Sequence, residues 1–238
     1  MLKELENVLL IIINVSVRER FSFLFNGGSG MEKTNQPFSI RVAKNVELNK
    51  GLLLVAFGYA FCYMFMLDYC VEGMNIFYRW STVSYSQFKH PVLFAIWIIL
   101  CSLAFFLNIG YMRAKYKAPQ KWISVLQYLG YFLLLLSMFV PTHRAPHETA
   151  GEYLRYYVHL FSALFFALAD MACILGVFAY RREKDQRFKY WLYGGIAFSL
   201  SVAPLFIFKL SGFVENFPLL TMMVVLYILN YTKLMEKN

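Results

Sequence analysis

The stretch "YVHLFSALFFALADMACILGVFAY", residues 157–180, holds 24 residues that are almost all apolar or aromatic, with one aspartate, Asp170, well inside. A membrane-spanning helix needs roughly 20 mostly apolar residues at about 1.5 Å of rise each. This run is long enough to be one, and five other segments approach the same length: Gly51–Leu67, Pro91–Met112, Trp122–Pro141, Trp191–Leu210 and Phe217–Tyr231. The first and last are short and call for tilt, local thinning or flanking residues to fill the span. Closed β-barrels need short alternating segments, which these solid runs are not. The expected fold is all-α, a polytopic bundle of six transmembrane helices.

Composition agrees. The 238 residues are 59% hydrophobic, 19% aromatic and 16% charged, whereas soluble domains sit near half apolar and about a quarter charged. The net charge of +9 invites a nucleic-acid reading, but its distribution argues against one. Fifteen Lys and Arg fall in Met31–Lys50, Arg113–Lys121, Arg181–Tyr190 and Thr232–Asn238; five (Arg79, Lys89, Arg144, Arg155, Lys209) fall on the alternate side. Short loops rich in Lys and Arg stay cytoplasmic, which predicts both termini inside. Membrane lipids, anionic headgroups above all, are the expected partners, with a homo-oligomer as a further expectation and no nucleic acid.

The expected organisation is a leader over 1–30, a basic tail over 31–50, the helical domain over 51–231 and a tail over 232–238. The leader's apolar core, Val8–Ile13, is too short to span, and no small-residue cleavage site follows it. Asn26-Gly27-Gly28 is compatible with a purine-rich coding run ahead of Met31, so a bacterial start at Met31 is one reading of this extension. The expected location is the cytoplasmic membrane of a bacterium.

On one helix, Glu148, Glu152, Arg155, His159, Ser162, Phe166, Asp170 and Cys173 fall within roughly 40° of one meridian. The spacing predicts a polar seam running inward to Asp170. An ionised aspartate near mid-bilayer costs about 2.5–3.5 kcal/mol on insertion scales, and such residues face the bundle interior. Two readings stand side by side: a proton-responsive or ligand-binding seam, and a protonated Asp170 bonded to another helix through Asn108, Gln127 or Ser201, with depth favouring Asn108. His159 and Asp170 are eleven residues apart, roughly 16 Å, too far to touch.

Outside the spans, His143 and His147, with Asp68 and His90 from the other loop, make a Zn²⁺-competent set of imidazole and carboxylate. Pro146 between the two histidines favours a loop over a helix, and the H-E-x-x-H spacing is absent. No G-x-S-x-G elbow and no phosphate-cradling glycine loop follows a strand. The four cysteines form no C-x-x-C pair, which argues against a thiol–disulfide relay. The cofactor is left unknown.

The third-span end "SMFVP", followed by "VHLFSALFFALADM" opening near His159, resembles the DRAM/FRAG-type six-helix membrane proteins and their bacterial relatives over Trp122–Tyr180. That likeness implies a non-enzymatic membrane protein and carries over no catalytic residues. Three function classes follow: a non-enzymatic protein binding lipid or a small ligand in the seam, a small proton-coupled transporter using Asp170, and a metal-dependent membrane hydrolase using the outer histidines and acids.

Overall fold

A computed structural model describes residues 45–70, 73–78, 81–140 and 149–235. The leader and most of the basic tail, like Glu148, His143 and His147, lie outside them. Among the described residues there are six α-helices and no strand: α1 (Val46–Cys70), α2 (Pro91–Lys115), α3 (Lys121–Phe139), α4 (Ala150–Arg181), α5 (Gln186–Phe208) and α6 (Gly212–Tyr231). Short 3-10 turns cover Val83–Gln87 and Lys233–Met235.

Five of these, all but α5, are long and apolar enough to cross a membrane. Their outward faces carry large apolar side chains in the open. On α4, Leu154, Tyr157, Phe161, Phe165 and Leu168 are exposed, while His159, Ser162, Phe166, Asp170 and Cys173 are buried. The two stripes follow the 3.6-residue period on different sides of one cylinder. An exposed apolar stripe of that length suits hydrocarbon rather than water.

The helix ends have identifiable causes. Pro91 occupies the first turn of α2, where its missing N–H costs no intrahelical bond. After α2, Lys117 takes φ 50°, and the Ala118 N–H donates back to the Arg113 carbonyl at 2.9 Å, closing the last turn. Thr149 and Glu152 form a capping box at the start of α4, and Asp185 and Ser211 cap α5 and α6 through their side chains. Each cap meets N–H groups the helix itself leaves unpaired.

Two expected boundaries move. The first helix begins at Val46 rather than Gly51, and the last at Gly212 rather than Phe217, giving 25 and 20 residues. Asn49 and Asn216, which look like loop residues in the sequence, are fully buried within these helices, and Pro218 sits inside α6. The lengths remove the need for the thinning expected of these two spans.

In space, α2 is the central helix, packed against α1, α3, α4 and α6; α3 lies along α4, and α5 bridges α4 to α6. Glycines let α3 and α4 approach closely. A Cβ on Gly130 would stand 3.0 Å from the Ala169 Cβ, and one on Gly176 would stand 2.4 Å from Trp122 Cη2. Small residues at such contacts are how membrane helices gain packing without a hydrophobic drive between them.

The turns after α2 and α4 gather at one end of the bundle with the C-terminal turn. There Lys115 donates to the carbonyls of Leu229 and Asn230 at 3.0 and 2.9 Å. This is the basic end of the bundle.

Candidate functional site

Asp170 is fully buried on α4, and its partner is neither Asn108 nor Ser201. The Tyr131 hydroxyl of α3 donates to Asp170 Oδ1 at 3.3 Å, and among the described residues Oδ2 has no partner. Gln127, one helical turn before Tyr131, is also fully buried. Its Nε2 donates to the Phe106 carbonyl of α2 at 2.9 Å, its Oε1 is unpartnered, and its side chain adjoins the Tyr131 hydroxyl.

The expected Asn108 pairing is corrected. Asn108 Nδ2 donates to the Asn49 and Ala104 carbonyls at 3.0 and 2.8 Å, and Oδ1 accepts from Tyr231 at 2.6 Å. Asn230 Nδ2 donates to the Asn108 carbonyl at 3.0 Å. Asn108 therefore ties α1, α2 and α6 together. Ser201 is exposed and donates to its own helix, at Ala197.

His159 serves the end of α3. Its Nδ1 stands 2.9 Å from the carbonyls of both Ser137 and Val140. Carbonyls only accept, so Nδ1 carries the proton and satisfies oxygens that a helix C-terminus leaves unpaired. The ring stacks at 6.4 Å on Phe94. Between His159 and Asp170 the seam is filled: Phe166 is 2% exposed, with Phe105 at 6.1 Å and Tyr131 at 5.8 Å between ring centroids, and Leu134 is equally buried. The two residues do not line one open cavity.

The outer part of the expected stripe leaves the interior. Ser162 is buried, Glu152 is half-buried in the capping box, and Arg155 is exposed. The physical reason is that α3, the helix lying along α4, ends at Phe139, where His159 meets its last carbonyls. Of the proposed metal set, Asp68 is exposed on the last turn of α1, and the His90 ring is 3.1 Å from the Cys70 carbonyl. No group of three His, Cys, Asp or Glu suited to a metal ion comes together among the described residues.

An open space lies elsewhere. A cavity of about 550 Å³ opens between α4, α5 and α6 toward the basic end, walled by Met171, Phe178, Trp191, Gly194, Phe198 and Met222 among others. Asp170 is not among its walls. Arg187 is the one charged side chain that is, and it is held in place: it pairs with Asp185 at 2.8 Å and donates to the Leu234 and Met235 carbonyls at 3.0 and 3.1 Å. It thereby fastens the C-terminal turn to the start of α5. Gly194 is exposed, and a Cβ there would meet nothing within 4 Å, so this wall position has room for a side chain.

Sequence reasoning passed over three features. Tyr131 is an ordinary aromatic by pattern. The cavity has only Gly194-Gly195 as a signal. Glu215, in the first turn of α6, accepts from the Val83 N–H at 2.6 Å and from Ser84 Oγ at 3.1 Å. It caps the 3-10 turn between α1 and α2, where Tyr63 and Ser86 also share a hydroxyl contact.

Comparison of the chain with protein-family models, curated proteins and solved structures returns no match.

Proposed function

We propose that this chain is a non-enzymatic protein of a bacterial cytoplasmic membrane, crossing it six times with both ends inside, and that it holds one acyl chain of an anionic lipid. The seat is the cavity between α4, α5 and α6 rather than the polar seam. The observation that carries the reading is an apolar space of about 550 Å³, within the range of roughly 300–1,000 Å³ typical of ligand sites, opening beside the most basic turn of the chain.

A chain already in the bilayer gains little by leaving it for an equally apolar pocket. Selectivity then lies with the headgroup. Arg181, Arg182, Lys184, Arg187 and Lys189 crowd the α4–α5 turn, and each basic residue near an anionic surface contributes about 1 kcal/mol. The walls otherwise offer the hydroxyls of Thr221 and Tyr190 and no carboxylate, histidine or cysteine, which supports binding over catalysis. The six-span inside orientation is supported by the excess of Lys and Arg at the basic end. A C-terminal reporter active only in the periplasm overturns it.

A second reading, proton-coupled transport, is favoured by the buried Asp170 carboxyl. A pH-driven flux in liposomes that Asp170→Asn abolishes in folded protein supports it; an unchanged flux removes it.

A further inference from the structure

The cavity between α4, α5 and α6 has two unlike ends. On α5 its walls run from Arg187, beside the basic end, to Phe198 and no further. Arg187, Trp191, Gly194 and Phe198 follow one another at intervals of four, three and four residues, so they share one face of α5. That face is open at Gly194, where a Cβ would meet nothing within 4 Å, and one turn later it carries a phenyl ring. Arg187 and Phe198 are eleven residues apart, about 16 Å along the helix.

The far end is closed by rings. The Phe198 ring lies 6.0 Å from that of Phe217 on α6, one turn before Thr221, the first cavity wall on that helix. Phe217 in turn stacks on Phe213 at 5.1 Å, and Phe213 lies 5.2 Å from Phe77 in the segment between α1 and α2. A line of four aromatic rings therefore backs the point where α5 and α6 come together. Thr221 donates its hydroxyl proton to the Phe217 carbonyl of its own helix at 2.9 Å, which leaves this end apolar.

We propose that Phe198, backed by Phe217, is the stop that sets the longest acyl chain the cavity accepts. This rests on the reading of the cavity as a lipid seat with the headgroup at the basic end. The span of about 16 Å is close to the extended length of a myristoyl chain. A longer chain has to fold back on itself or lift its headgroup away from the α4–α5 turn. Met171 and Met222, the other walls near this end, have flexible side chains that adapt to a ligand, whereas a ring held by a second ring does not. Apolar pockets discriminate one methylene by about 10–200-fold, and the low end applies where the bilayer competes as an equally apolar solvent.

The test is native mass spectrometry of the full chain released from nanodiscs holding equal parts of dimyristoyl-, dipalmitoyl- and distearoyl-phosphatidylglycerol. Wild type is expected to retain chiefly the dimyristoyl lipid. Phe198→Ala should move the retained ratio toward the two longer lipids by about tenfold, and Phe198→Trp should move it the other way. Wild type emerging with no lipid contradicts the lipid seat, and the stop with it. A retained lipid whose chain lengths follow the proportions of the nanodisc contradicts the stop alone, as does a ratio that neither variant moves. The two variants change the ring in opposite directions, so either one in folded form decides the role of Phe198.

Discussion

Tyr131 on α3 and Asp170 on α4 meet through a single hydrogen bond of 3.3 Å, hydroxyl to carboxyl, with the aromatic rings of Phe106 and Phe166 packed around the tyrosine at 5.2 and 5.8 Å. The bond joins two helices whose backbones already approach closely at Gly130 and Ala169. It is polar glue set into an apolar contact.

Tyr131→Phe keeps the ring packing and removes only the donor. Hydrogen bonds between membrane helices average about 0.6 kcal/mol and reach about 1.7 in double-mutant cycles. Reversible unfolding in mixed micelles is expected to show a loss within that range. A loss as large as that of truncating the ring, about 3–5 kcal/mol, contradicts the assignment of the hydroxyl as the only thing removed.

Gly176→Ala puts a methyl 2.4 and 2.8 Å from the Trp122 ring, so α3 and α4 must part or the indole must turn. Overpacking of this kind costs about 1–3 kcal/mol. Gly58→Ala, where a Cβ meets nothing within 4 Å, is the control. Thermal unfolding in detergent should drop clearly for the first and stay level or rise slightly for the second, since alanine restricts the unfolded chain.

The inward face of α4 is legible in the sequence because a helix repeats every 3.6 residues, so His159, Ser162, Phe166, Asp170 and Cys173 declare one side by spacing alone. Which residue meets Asp170 is not legible in that way. Asn108 is polar and buried in a neighbouring helix, but its side chain is taken up by Asn49, Ala104 and Tyr231. Tyr131 carries no polar signature in a chain with 17 tyrosines. The start of α6 was hidden by Pro218 and the polar pair Glu215-Asn216, which imitate a loop. The cavity depends on how far α5 stands from α6, and no residue pattern reports that distance.

His159→Ala removes the donor shared by the Ser137 and Val140 carbonyls and leaves buried acceptors unpaired, at about 1–3 kcal/mol. Hydrogen exchange should speed up at the Val140 amide, which closes the last turn of α3 on Leu136. His159→Asn, which retains a donor, should recover part of the protection. Unchanged exchange in the alanine variant contradicts the capping role.

Glu215→Ala frees the Val83 amide and the Ser84 hydroxyl from the carboxylate. Hydrogen bonds to charged groups contribute about 1.5–3 kcal/mol, so exchange at the Val83 amide is expected to rise by roughly tenfold to a hundredfold. The α3 and α4 amides serve as internal reference and should not change.

The lipid seat is tested most directly by native mass spectrometry of the chain released from nanodiscs of mixed neutral and anionic phospholipid. Wild type should retain one anionic lipid. Gly194→Phe, which puts a ring on a cavity-lining position where a side chain meets open space, should release it while its unfolding temperature holds. Wild type emerging without lipid, or Gly194→Phe retaining the same lipid in the same proportion, contradicts the account.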